Sequence, residues 1–340
     1  MIFSIETSCD ETSAAIINFQ GKLLSHITVN QTNHKKYGGV VPEIASRSHL
    51  QILQKIIPET LKKAKTNIKN IDVFCSTCGP GLIGGLLVGS TFAKSLAIGN
   101  NKPFYPINHL EGHLLSPKFS FNLRFPNLTL LLTGGHTQIY LVEEIGKYKL
   151  LGETIDDAVG ECFDKVAKLL NLSYPGGKEI EIKALKGNPN KFILPHPLEF
   201  KKELNFSFSG IKTAVNLLVK KQKKLTKKNI NDISASFQNK IIEILIKKTN
   251  KTLKKLNDKK IFIKDIALVG GVAANKKILD SFKLLCLKQK IRLINPPLEY
   301  CSDNAAMIAL TCLEKYKKNV KPSINFKANP RWNICNLYKI

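Results

Sequence analysis

The chain has 340 residues, 43% of them hydrophobic, enough for two cores in two lobes. No apolar run approaches the ~20 residues of a membrane helix. Met1–Asn18 lacks the basic start, apolar stretch and small-residue cleavage site of a signal peptide, so a cytoplasmic chain with no membrane association is expected. The net charge of +26 points toward a polyanion, but only four of 52 basic residues are arginine (47, 124, 292 and 331), and bidentate phosphate recognition favours arginine. Part of the lysine excess therefore reads as compositional drift, and the runs Lys220–Lys228 and lysines 247, 248, 251, 254, 255, 259 and 260 fit a solvated face as well as a polyanion surface.

In chain order, three short β-rich segments at 2–7, 13–19 and 22–29 precede a helical stretch around 42–64. A strand at 71–77 ends in Gly79-Pro-Gly81, and an apolar helix covers about 82–98. A Pro/Asn segment then leads into His109. A second unit opens with apolar Leu128–Leu132, the turn Thr133–Gln138 and a strand at Ile139–Glu143. Helical patterns follow at about 156–171, 177–186, 209–224 and 229–257. A buried strand at Ile266–Val269, a helix from about 274, a strand at 291–294 and a helix at 303–317 finish the chain. Alternating strands and helices imply sheets covered by helices.

The eight cysteines (9, 75, 78, 162, 286, 301, 312 and 335) have no regular framework and read as reduced thiols. Cys75 and Cys78 share a strand, where residues three apart point to opposite faces, which argues against a zinc or redox pair. Glycine turns recur where strands end: Gly79-Pro-Gly81, Gly134-Gly135, Gly176-Gly177 and Gly270-Gly271. Such turns let a backbone approach a ligand, and together they favour a nucleotide-like one. There is neither a P-loop lysine motif nor a dinucleotide fingerprint. The acidic, hydroxyl-rich segment Glu6–Ser13 fits either a solvated turn or a site beside a metal–phosphate group.

His109-Leu-Glu-Gly-His113 is the leading metal candidate, because histidines at i and i+4 share one helix face. Glu111 lies about 200° around the helix from each, which is wrong for the base of a metallopeptidase. Asp303, in Cys301-Ser-Asp-Asn304, would complete a set of two histidines and a carboxylate with open positions.

The chain resembles the universal tRNA threonylcarbamoyl transferase family, formerly labelled O-sialoglycoprotein endopeptidases. Its carriers run along nearly the whole chain: 5–12, 37–43, 79–82, 109–113, 133–138, 156–164, 174–177, 206–210, 270–275 and 301–304. The resemblance implies an α/β, two-lobed fold of the actin, Hsp70 and sugar-kinase (ASKHA) class around a central cleft, with lobes at 1–108 plus 305–340 and at 109–304. It implies one divalent metal, iron with zinc as alternative, on His109, His113 and Asp303. It implies threonylcarbamoyl-adenylate against Leu131, Leu132, Thr133, Gly134, Gly135, Asp164, Gly177 and Asn275. The expected reaction is transfer of threonylcarbamoyl to the exocyclic amine of the adenosine beside the anticodon of tRNA, with AMP released. Asp10 or Glu11 could take the proton. A paralogous partner subunit and a small ATPase subunit are implied too. Thr133 stands in place of a frequent serine, and Cys75 and Cys78 in place of small or apolar residues. The alternatives are a non-catalytic actin-like scaffold and a metallopeptidase.

Overall fold

The computed structural model describes residues 1–31, 40–199, 203–222 and 224–337; Tyr37, Gly38 and Gly39 of the second family segment, and Lys223, lie outside them. Contacts divide the chain into two units, Met1–Phe119 with Ser302–Ile340, and Ser120–Cys301.

The first unit is built on a five-stranded sheet. Its strands are β1 (Ile2–Glu6), β2 (Glu11–Ile17), β3 (Leu23–Asn30), β4 (Val73–Gly79) and β5 (Phe104–Asn108), in the order β3-β2-β1-β4-β5. β1 pairs antiparallel with β2 and parallel with β4, which in turn is parallel to β5. Its helices are α1 (Pro42–Lys63), α2 (Ile83–Gly99), α3 (His109–Leu115) and α9 (Ala305–Lys317). Pro42 opens α1, and Ala45, His49, Leu53, Ile56 and Thr60 bury one face at helical spacing.

The second unit repeats that plan. Its strands are β6 (Asn127–Leu132), β7 (Thr137–Glu144), β8 (Lys147–Glu153), β9 (Asp265–Val269) and β10 (Arg292–Ile294), ordered β10-β9-β6-β7-β8. Again the first strand is antiparallel to the second and parallel to the fourth. Helices α4 (Val159–Leu169), α5 (Gly176–Ala184), α6 (Ser209–Lys221), α7 (Lys227–Asp258) and α8 (Lys276–Gln289) complete the unit. Leu128, Leu130 and Leu132 of β6 join Phe163, Phe237, Ile241, Leu245 and Phe282 in one core. Each such side chain contributes about 1.5–3 kcal/mol by leaving water.

Two strands were invisible in the sequence pattern, and both are sheet edges. β5 carries Pro106, which an edge strand tolerates and a central one does not. β8 alternates lysines with apolar residues, the pattern of an edge protected by charge. The units also divide at 119/120 and 301/302 rather than at 108/109 and 304/305. The reason is that α3 packs on α9 and β5. The buried pair Lys315–Glu111 (3.1 Å) and Lys118–Glu314 (2.8 Å) tie residues 109–119 to the first unit.

Cys75 and Cys78 are both fully buried in β4, and the Cys75 thiol donates to the Phe3 carbonyl at 3.6 Å, as expected of inert thiols. Among the described residues no helix is long and apolar enough to cross a membrane.

Candidate metal centre and glycine cradle

In the first unit the parallel strands β1, β4 and β5 end together, which is where α/β sheets place their ligands. Asn108 ends β5 and caps α3, its side-chain oxygen accepting from the Leu110 and Glu111 amides. That cap starts the helix at His109 and puts His109 and His113 one turn apart, with ring centroids 4.8 Å apart. Asn304 caps α9 in the same way, which fixes the preceding Asp303.

His113 Nε2 lies 2.9 Å and His109 Nε2 3.5 Å from Asp303 Oδ1. The donor atoms of these three residues all fall within 4.8 Å of one another. The histidine side chains are almost wholly buried, and His113 Nδ1 has no hydrogen-bond partner among the described residues. Two imidazoles and a carboxylate converging in this way suit a divalent transition metal. Burial opposes charge on His109, but Asp303 and Glu6 push its pKa up to about 9.

Asp10 and Glu11 sit at the turn into β2, each partly exposed. Burial first, then the Asp303 and Asp10 carboxylates, raise Glu11 well above the ordinary glutamate range. The structure thus brings Asp10, Glu11 and Asp303 into one electrostatic neighbourhood. Glu111, by contrast, is fully buried and faces Lys315 (3.1 Å), where it cannot act as a base. Sequence reasoning placed Glu6 and Ser8 in the acidic, hydroxyl-rich segment Glu6–Ser13 but gave neither a contact with His109. Glu6 Oε2 and Ser8 Oγ each lie 3.2 Å from His109 Nδ1.

The glycines of the second unit divide into two kinds. A Cβ on Gly160 would lie 2.6 Å from the Thr133 carbonyl oxygen, and one on Gly270 2.4 Å from that of Leu132. Gly270 also has φ +93°, a conformation that only glycine adopts without strain. These two allow α4 and the end of β9 to close on the end of β6. Gly134, Gly135, Gly177 and Gly271 instead open on empty space, with nothing within 4 Å of a Cβ. Gly134 and Gly135 follow the carboxyl end of β6 and Gly271 follows that of the parallel strand β9, which makes a candidate ligand cradle, while Gly177 opens α5.

The other expected adenylate residues take different places. Leu131 and Leu132 are fully buried, so only their backbone positions bear on the turn. Thr133 Oγ1 accepts from the His136 amide at 2.9 Å and the Gly135 amide at 3.3 Å, and folds the turn. No partner for the Gly134 N–H is found among the described residues. Asp164 Oδ1 accepts from the Gly176 amide at 2.6 Å and holds the start of α5 beside the cradle. Burial raises the Asp164 carboxyl pKa despite that bond. Asn275 caps α8, and its amide donates to Gln238 Oε1 at 2.9 Å.

A second group of possible ligands, His196, Glu199 and Glu243, is already occupied by lysines. Lys240 and Lys247 reach Glu243 at 2.6 and 2.8 Å, and Lys247 reaches Glu199 at 2.8 Å. The same contacts remove Lys247 from the free basic surface, and Lys248 is buried against the Leu198 and Glu203 carbonyls.

A five-stranded plan given twice, with ligand-accessible turns at the ends of its parallel strands, defines the actin, Hsp70 and sugar-kinase class. Solved structures share that fold. The chain aligns over 94% of its length with all of the Acidaminococcus fermentans (R)-2-hydroxyglutaryl-CoA dehydratase component A (TM-score 0.52, 15% identity). It aligns over 93% of its length with 48% of T. kodakarensis HypF (TM-score 0.59, 13% identity). At these identities the likeness concerns the fold alone. The profile of the tRNA N6-adenosine threonylcarbamoyltransferase family matches residues 22–310. Proteins of that name from Rickettsia rickettsii (strain Sheila Smith) and Brucella anthropi are 48% and 45% identical, aligned over 98% of this chain and over 98% and 95% of theirs. The chain belongs to the tRNA N6-adenosine threonylcarbamoyltransferase family.

Proposed function

We propose that this chain moves the threonylcarbamoyl group of threonylcarbamoyl-adenylate onto the exocyclic N6 amine of the adenosine beside the anticodon, in tRNAs reading codons that begin with A. The observation that carries this reading is family membership along nearly the whole chain, with the His109, His113 and Asp303 group retained. The amine nitrogen attacks the carbamoyl carbon, the bond from that carbon to the phosphate oxygen breaks, AMP leaves and the amine gives up a proton. Because the amine is a weak nucleophile, positioning and oxyanion stabilisation dominate.

In the second unit, Gly134, Gly135, Gly177 and Gly271 admit the adenylate. The Gly134 N–H donates to its phosphate or to the developing oxyanion. Thr133, Asp164 and Asn275 hold the turns that shape this cradle, and Leu131 and Leu132 anchor it to the sheet. In the first unit, Asp10 or Glu11 takes the proton. His109, His113 and Asp303 hold one divalent metal, iron by our reading, with zinc as the alternative. Bound there, a metal supplies Lewis-acid polarisation and orients oxygen donors.

The protein works in the cytoplasm with tRNA, a paralogous partner subunit and a small ATPase subunit. A single-turnover assay with labelled adenylate, the partners and tRNA tests the reading. Label should appear on tRNA with stoichiometric AMP. Absence of transfer together with cleavage of a sialoglycoprotein would establish the peptidase alternative. Elemental analysis should find no metal in the His109→Ala/His113→Ala double variant.

A further inference from the structure

We propose that Glu6 is the positioning residue of the metal centre: it fixes the His109 ring so that Nε2 is the nitrogen presented to the metal. The inference rests on the assignment of His109, His113 and Asp303 as ligands. Glu6 ends β1 and is wholly buried. Its Oε1 accepts the Ser8 amide at 2.6 Å, and the Thr77 hydroxyl donates to its Oε2. Those two donors are neutral, and they lock the carboxylate in place. The same Oε2 stands 3.2 Å from His109 Nδ1. An acceptor there keeps the ring proton on Nδ1 and leaves the lone pair on Nε2, the atom that lies 3.5 Å from Asp303 Oδ1. A buried carboxylate is costly unless donors face it, and His109 Nδ1, 3.2 Å away, joins the Ser8 amide and the Thr77 hydroxyl in doing so. A carboxylate on the far nitrogen also makes the ligating nitrogen more basic. His113 has no such support, because its buried Nδ1 meets no partner among the described residues. The two ligands are therefore unequal: His109 alone of the two has a carboxylate at its far nitrogen, with Ser8 Oγ also 3.2 Å from it.

The test is chelator competition for zinc on the full chain, comparing wild type, Glu6→Gln and His113→Ala, with thermal midpoints of the metal-free proteins. Glu6→Gln keeps the shape and removes the charge. Zinc affinity should fall about 10–100-fold, the usual cost of losing such an outer carboxylate, while the midpoint moves little. Wild-type affinity in Glu6→Gln, with loss in His113→Ala, would show that Glu6 only packs the end of β1. Wild-type affinity in both variants would instead overturn the metal assignment itself. If Glu6→Gln does not fold, nitrogen-15 NMR of zinc-loaded wild type decides. A His109 proton on Nδ1 with zinc on Nε2 supports the proposal, and the reverse arrangement overturns it.

Discussion

Gly160, in α4, and Gly135 show how one residue type serves two purposes around the Thr133–His136 turn. Gly160 is needed for packing, because a methyl group there would lie 2.6 Å from the Thr133 oxygen and 2.9 Å from Gly134 Cα. Gly135 has nothing within 4 Å of that position. Gly160→Ala should therefore cost about 1–3 kcal/mol, the usual penalty of overpacking, and lower the thermal midpoint. Gly135→Ala should leave the midpoint unchanged and abolish binding of a non-hydrolysable adenylate analogue in equilibrium dialysis. If Gly135→Ala binds the analogue as wild type does, the cradle is not the adenylate seat.

At the scale of elements, buried ion pairs set how helices and strands meet. Glu111 and Lys315, with side chains 0% and 6% exposed, pin α3 to α9 and so bring the histidines to Asp303. Glu111→Gln leaves Lys315 buried with its partner's charge gone and should destabilise the protein by about 3–5 kcal/mol. A Glu111→Leu/Lys315→Met double variant should recover most of that in urea unfolding. Failure of the double variant to recover would show that the pair does more than balance charge. In the second unit, Asp265 on β9 is fully buried between Arg292 (2.6 Å) and Arg124 (2.5 Å). Burial opposes its charge, but the bonds from both arginines hold its carboxyl below the usual range. A carboxyl depressed on folding stabilises fully above its unfolded pKa, about 3.9, and the stabilisation fades as pH falls toward the lower folded value. Asp265→Asn should thus be less stable than wild type at pH 6, by about 1.5–3 kcal/mol, and the gap should narrow below about pH 4. A gap that stays constant from pH 6 into that acid range would show that Asp265 acts through packing rather than charge.

Across the whole molecule the net charge of +26 is unevenly neutralised. Lys118, Lys147, Lys149, Lys165, Lys240, Lys247 and Lys315 all face carboxylates. Lys220, Lys221, Lys224, Lys227 and Lys228 are exposed where α6 gives way to α7, and none of them meets a carboxylate among the described residues. Lys227 and Lys228 also sit at the positive end of the α7 dipole, where cations cost rather than contribute stability. If this turn meets tRNA, changing all five to glutamine should weaken binding of every tRNA alike. Each lost phosphate contact should reduce the slope of log affinity against log salt by about 0.7–0.9. An unchanged slope in filter binding would make the turn a solvated face and leave the transfer chemistry untouched.

The sequence by itself determined the α/β alternation, the i and i+4 histidines, the misplacement of Glu111 and the places where glycine turns occur. All of these are local, written in strand and helix periodicity or in contiguous segments. Asp303 was legible only because a recognisable segment carries it, for it meets His113 across 190 positions. The tertiary structure alone decided that Glu6 supports His109, 103 positions away, and that Gly134, Gly135, Gly177 and Gly271 open on space while Gly160 and Gly270 do not. It also decided that Lys247 and Lys248 are consumed internally and that β5 and β8 are strands at all. A hydrogen bond between distant strands leaves no period in the chain, and an edge strand carries the charge or proline that hides it. Such features exist only once the sheet has brought its ends together.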